Sequence, residues 1–215
     1  MRRIKVWDLP VRLFHWMLAA LVFLAWASQE WNYMDWHVLI GYAILTLVLF
    51  RMIWGLVGSD TARFGRFLRS PFAALGHLRH IHRREPDQEI GHNAAGGWMV
   101  LVMLALVVVQ AGTGLFANDD GDTEGPLMHL VSKGRSDWLS HIHSVNFTLI
   151  EIAVCLHVFA ILVYAVLKRQ DLVRPMITGT KAMPAGTAAP RLVSPLWAIL
   201  ALGMAAGAVA LLIRI

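Results

Sequence analysis

Five apolar runs dominate the chain, at residues 11–27, 38–57, 97–116, 147–167 and 195–213, with the charged residues gathered between them. About 20 mostly apolar residues suffice to cross the hydrocarbon core of a bilayer. Each run therefore predicts a spanning helix, and the fold class expected is an all-α integral membrane protein. The first run is short. With Arg2, Arg3 and Lys5 ahead of it and Ala25-Trp26-Ala27 at its end, it shares the layout of a signal peptide. Arg12 and His15 fall inside its apolar core, which favours a retained helix.

Charge position predicts orientation. Counting Lys and Arg, fifteen lie in the N-terminal segment, the second connection (Arg63 to Arg84) and the fourth (Lys168 to Arg191). Lys133, Arg135 and Arg214 are the three on the other side, beside an acidic run of Asp119, Asp120, Asp122 and Glu124. The excess of basic residues marks cytoplasmic loops. The N-terminus is expected inside and the C-terminus outside. The second connection interleaves Arg63, Arg66 and Arg69 with Phe64, Phe67 and Phe72. It reads as an amphipathic segment lying on anionic headgroups, with His77, His80 and His82 as polar interface residues.

Composition agrees with this picture. The chain has 215 residues, 57% hydrophobic and only 15% charged, with a mean hydropathy of +0.57. The net charge of +5 is a topology signal, and no nucleic-acid partner is needed to account for it. No linker divides the chain. Residues 1–181 carry four spans, and 182–215 carry a connection and a fifth helix. Cys155 is the one cysteine, so no internal disulfide can form. No C-x-x-C-H is present for covalent haem attachment. Cys155 is expected to be a packed small side chain.

Ionisable groups in hydrocarbon are costly and mark function. His15, His37, His143 and His157 lie in or at the ends of the runs. A single such histidine is often a headgroup-level residue or a neutral imidazole bonded to a carbonyl. His143 and His157 are fourteen residues apart, about 40° short of four turns and about 21 Å along the axis. One helix thus offers two imidazoles on one face at two depths, as two stacked haems would require. By depth, His37 matches His143 on the outside and His15 matches His157 on the inside. Arg51, fourteen residues after His37 and on the same face, can meet a haem propionate or snorkel to the headgroups. Gly41, Gly112 and Gly114 can let a flat ring approach the backbone. His92 is a second candidate for the inner iron or for a quinone head. Glu151, in the middle of the fourth run, has no assigned role. Gly203-x-x-x-Gly207 in the fifth run can admit another helix closely, or reflect incidental small residues.

These residues occur in motifs. Val6-Trp7-Asp8-Leu9-Pro10-Val11-Arg12-Leu13-Phe14-His15-Trp16 resembles the opening of the bacterial cytochrome b561 and nickel–iron hydrogenase cytochrome b family. His37-x-x-x-Gly41, Arg51-x-x-Trp54-Gly55 and Arg63-Phe64 are similar to its second helix and loop. Gly91-His92-Asn93 with Gly96-Gly97-Trp98 is similar to its third helix. His143, Leu156-His157-Val158 and Arg174-Pro175-Met176-Ile177-Thr178-Gly179-x-Lys181 are similar to its fourth helix and exit. The family often has an acid after the outer histidine of helix four, where this chain has Ser144. The resemblance covers about residues 5–181. It implies a four-helix transmembrane haem-binding bundle, to which this chain adds a fifth C-terminal helix. It implies two b haems held by His15, His37, His143 and His157, and electron exchange between the quinone pool and a redox partner.

Three functions follow in order. The first is electron transfer through two b haems between quinone and a periplasmic c-type cytochrome or other redox subunit. The second is a superoxide:quinone oxidoreductase, which a basic outer surface would favour through steering of the anion. The third is a haem-free transporter with a histidine proton relay, but no proline breaks any run. The redox partner and the oligomeric state, a homodimer included, stay open.

Overall fold

The computed structural model describes residues 1–79, 89–121 and 123–215. His80, His82, Arg83, Arg84 and Asp122 therefore lie outside the described residues. Strand β1 (Arg2–Lys5) precedes helices α1 (Leu9–Glu30) and α2 (Met34–Val57). Two short helices, α3 (Phe64–Phe67) and α4 (Pro71–Arg79), lie in the second connection. Then come α5 (Ala94–Gly114), α6 (Lys133–Leu167), α7 (Val173–Thr178), strand β2 (Thr180–Met183) and α8 (Pro195–Leu212). Helices α1, α2, α5, α6 and α8 are each long and apolar enough to cross a membrane. This is an all-α integral membrane protein with one two-stranded sheet.

The ends of α1 show how sequence sets its limits. Asp8 is the N-cap: its Oδ1 accepts the Val11 amide at 2.9 Å, satisfying one of the first-turn donors. At the other end Asn32 adopts φ 58. The Tyr33 amide donates to the Ser28 carbonyl at 2.7 Å and the Asn32 amide to Gln29 at 3.0 Å, the pairing of a Schellman cap. The largest departure from expectation is α6, which starts fourteen residues before the apolar run. Its first turns contain Lys133, Arg135, Asp137 and His141, and polar residues that continue a helix beyond hydrocarbon leave no hydropathy signal. At about 1.5 Å per residue its 35 residues span roughly 50 Å, well beyond the hydrocarbon thickness.

The chain divides into two compact units, and several helices run from one into the other. Unit 1 comprises Met1–Leu13, Met52–Met103 and Ala153–Ala198; unit 2 comprises Phe14–Arg51, Leu104–Ile152 and Ile199–Ile215.

In unit 1, β1 pairs antiparallel with β2, in register from Arg2 with Met183 to Lys5 with Thr180. Gly179 ends α7 at φ 80. A Cβ there would stand 2.9 Å from the Trp7 carbonyl, so glycine is required by both conformation and space. Arg12 donates to the Ile177 carbonyl. Trp54 is wholly buried and its indole donates to the second Asp8 oxygen at 3.0 Å. Phe64 lies where a Gly55 Cβ would go, and Phe67 is buried. Those two rings belong to the protein interior, whereas Phe72 and Leu75 are exposed. Among the described residues of the connection, α4 keeps apolar side chains free for an interface. His77 departs from the expectation of a plain interface residue, because its ring shares a 2.6 Å hydrogen bond with Tyr164.

In unit 2, Ile44, Val48, Val107 and Ile150 form the buried centre, flanked by Leu18, Leu21 and Val22 of α1. Four helices contribute, and close packing must supply their cohesion, since lipid tails are as apolar as the core. On α8, the buried positions are Ala198, Ala201, Ala205 and Val209. Gly203 and Gly207 sit on its other side, with open space where their Cβ atoms would be. The close-approach face within this chain is therefore the alanine stripe, not the glycine pair.

Candidate functional site

His37 and His143 come together in unit 2, with ring centroids 6.2 Å apart and planes at 73°. The ring nitrogen Nδ1 of His37 lies 2.9 Å from the Ala25 carbonyl, and Nδ1 of His143 lies 3.0 Å from the Gln110 carbonyl. A carbonyl only accepts, so Nδ1 is the protonated nitrogen in both rings. Nε2 of each is then the lone-pair nitrogen, the form in which imidazole binds a metal.

The local sequence builds this arrangement. His37 follows the turn that caps α1, so α2 begins within reach of the Ala25 carbonyl. Gly114 gives His143 its room: a Cβ there would stand 3.0 Å from Cε1 of the ring. The Thr113 hydroxyl lies 3.2 Å from His143 Nδ1 and donates to the Val109 carbonyl at 2.8 Å. Asn146, one turn along α6, donates to the Leu106 carbonyl at 2.9 Å and to Gln110 Oε1 at 2.7 Å. Gln110, Thr113 and Asn146 thus tie α5 to α6 beside the imidazole.

Both histidines line a cavity of about 340 Å³, whose walls are largely apolar and include Trp26, Gly41, Gln110 and Gly114. A Cβ on Gly41 would meet nothing within 4 Å, so that backbone borders open space. The 6.2 Å between ring centres is wide enough for one metal ion held by both imidazoles at about 2 Å each. Among the described residues no group of three or more His, Cys, Asp or Glu gathers to hold a cation. Two nitrogens and an apolar slot suit a planar macrocycle, which brings its own donors. The residues fit a b-type haem.

The other candidates divide as follows. Arg51, in unit 2, is 2% exposed, so its guanidinium is enclosed by protein rather than extended to headgroups. His15, also in unit 2, is half-buried and stands edge-on to Trp16 at 4.8 Å. His157 is half-buried in unit 1. His92, in unit 1, lies between Trp7 at 4.6 Å and Phe67 at 4.7 Å. Asn93 joins His77 in bonding the Tyr164 hydroxyl, and the buried Lys168 lies over the Tyr164 ring at 5.3 Å. Gly112 borders open space but does not line the cavity. Cys155 corrects an expectation: it is exposed, not packed.

Sequence reasoning missed Gln110 and Thr113, which meet the His143 ring, and Asn146, which bonds the Gln110 side chain. The signal was available, because each is a polar side chain within or next to an apolar run.

The acidic loop is ordered by its own backbone. The Gly125 amide donates to Ala117 and the Leu127 amide to Leu115, both at 2.8 Å. Asp119 turns inward to accept the Gly121 amide at 2.8 Å and the Thr123 amide at 3.1 Å. Those amides hold its carboxyl below the usual carboxylate range. Lys133 pairs with both Asp120 and Asp137.

No curated protein and no solved structure matches the chain in sequence or fold comparison. Residues 6–179 match the family described as prokaryotic cytochrome b561, a stretch that contains α1, α2, α5 and α6. By that match, the chain belongs to the prokaryotic cytochrome b561 family, membrane proteins that carry electrons on b-type haem.

Proposed function

We propose that this protein carries electrons across a bacterial inner membrane through two b haems, one held by His37 and His143 and the other by His15 and His157. The observation that carries the reading is the outer pair, with both Nδ1 atoms committed to carbonyls and both rings bordering one cavity. Haem iron with two imidazole ligands has no open position and exchanges single electrons. Around it the chain supplies orientation and charge. Ala25, Gln110 and Thr113 fix the two rings, Gly114 leaves room for the His143 ring, and Gly41 leaves space for the macrocycle. Arg51, enclosed by protein, offers a cation for a propionate carboxylate. Residues 1–181 form the haem domain in this reading, and the family match ending at residue 179 supports that division.

In unit 1, His92 between Trp7 and Phe67 offers a polar edge between two aromatic faces, suited to a quinone head. The remaining partner is a periplasmic c-type cytochrome or another redox subunit. The distribution of Lys and Arg sets the N-terminus in the cytoplasm and the C-terminus outside. A superoxide:quinone oxidoreductase is the alternative. Asp120 and Glu124 on the loop after α5 oppose it, since acids there lower the encounter rate of an anion.

The test is a pyridine haemochrome assay on the purified chain with a protein determination. Two non-covalent haems per chain are expected; one or none would overturn the proposal.

A further inference from the structure

At the end of α6 that the charge distribution assigns to the cytoplasm, polar groups from α4, α6 and the start of α5 meet at one phenol oxygen. All of them belong to unit 1. Tyr164 is buried. His77 Nε2 lies 2.6 Å from its hydroxyl, and Asn93 Nδ2 donates to the same oxygen at 2.5 Å. The orientation of Asn93 is fixed, because its Oδ1 accepts the Gly96 amide at 2.7 Å. An amide nitrogen only donates, so Asn93 takes a lone pair of the phenol oxygen. The phenol proton can then lie on the short line to the imidazole.

A contact that only fastened α4 to α6 would need no titratable partners. Here a phenol and an imidazole stand in direct contact, and each can both give and take a proton. His77 is half-buried and Tyr164 is buried, so the pair leads from the surface inward. Tyr164 follows His157 by seven residues. Two helical turns put it on nearly the same face, about 10 Å further along α6. Asn93 is the residue after His92, the ring held between Trp7 and Phe67.

We propose that His77 and Tyr164 form a proton path between the cytoplasm and a quinone at His92, an inference that rests on the quinone reading above. Reduction of a quinone to a quinol takes two electrons and two protons. The electrons come singly from the inner haem. At one quinone oxygen the Tyr164 hydroxyl gives up its proton and takes another from protonated His77, which recovers one from cytoplasmic water. The other oxygen takes its proton from His92, which recovers one from the same side. Quinol oxidation runs these steps in reverse. The buried Lys168, 5.3 Å from the centre of the Tyr164 ring, sets a cation near the negative charge that develops as the phenol proton leaves.

The test follows haem oxidation by stopped flow, using the reduced, haem-loaded protein in proteoliposomes mixed with decylubiquinone. Tyr164→Phe keeps the ring and removes the proton. It should slow the reaction at saturating quinone by about 100-fold, the low end of what a positioned proton donor contributes. The half-saturating concentration and the haem content should not change. His77→Gln keeps a hydrogen bond to the phenol, and added imidazole should restore much of its lost rate. Ferricyanide takes electrons without protons and should oxidise every variant at the native rate. Native rates with decylubiquinone in both variants, or equal slowing with ferricyanide, would overturn the proton path and leave the quinone reading standing. If Tyr164→Phe does not assemble, His77→Gln decides, and failure of imidazole to restore its rate overturns the path. No oxidation of the native haems by decylubiquinone would overturn both.

Discussion

In unit 2 the polar side chains within the spans converge on His143, whereas in unit 1 they fasten termini and connections to the helices. The Thr113 hydroxyl and the Gln110 carbonyl meet the His143 imidazole, and Asn146 bonds the Gln110 side chain. Asp8, Trp54 and Thr61 instead tie the entry of α1 to the end of α2 and the turn after it, with Thr61 donating to the Val6 carbonyl at 2.6 Å. Both sets are buried and costly to leave unpaired. The contrast teaches that a polar residue in a span marks function only where its partners lead to a ligand. Where they lead to a cap or a strand, it marks assembly.

That difference can be broken by mutation. Trp54→Ala should destabilise most, by about 3–5 kcal/mol, as for large aromatic residues removed from a packed interior. It also strands the Asp8 carboxylate. Thermal unfolding in detergent should show a large drop in Tm, with all haem signals lost together. Selective loss of one haem would mean that unit 1 is not the structural clasp described. Asn146→Leu should cost less, about 0.6–1.7 kcal/mol, the range of a transmembrane hydrogen bond. Its readout is specific: the midpoint potential of the haem on His37 and His143 should move while the other stays fixed. A shift in both, or in neither, would remove Asn146 from the shell around His143.

Much of this was legible in the sequence. The spans were visible because an apolar run of about 20 residues matches the hydrocarbon thickness and suits little besides a bilayer. The candidate histidines stood out because histidine is rare in hydrocarbon and the fourteen-residue spacing puts two of them on one face. The start of α6 was not, since polar residues hide a helix that leaves the membrane without ending. The buried alanine stripe of α8 was not either: an all-apolar helix has no periodic contrast, and the more conspicuous glycines fall on its outer side. Asp8 stood out as part of a motif, but its double role as cap and indole acceptor requires α1 and Trp54 to meet in space. Cys155 was misjudged because the residues flanking it, Val154 and Leu156, are apolar, and sequence alone did not say which side of the helix faces outward.

The smallest effect expected is in the loop after α5. The amides of Gly121 and then Thr123 favour the ionised Asp119, so its folded pKa lies below its unfolded value. The stabilisation is full above the ordinary carboxylate pKa of about 3.9 and is lost as pH falls through the lower folded value. Exchange of the Gly121 and Thr123 amides should therefore lose protection as the solution is acidified through that range. Asp119→Asn should remove the pH dependence.

The central claim is that His37 and His143 hold one haem between them. Electron paramagnetic resonance with redox titration, on the native protein and on His37→Ala and His143→Ala, tests it most directly. Two low-spin bis-imidazole signals are predicted in the native protein. Each substitution should abolish the same one and leave the other at its original potential. Loss of different signals in the two variants, or survival of both signals in either, would contradict the account.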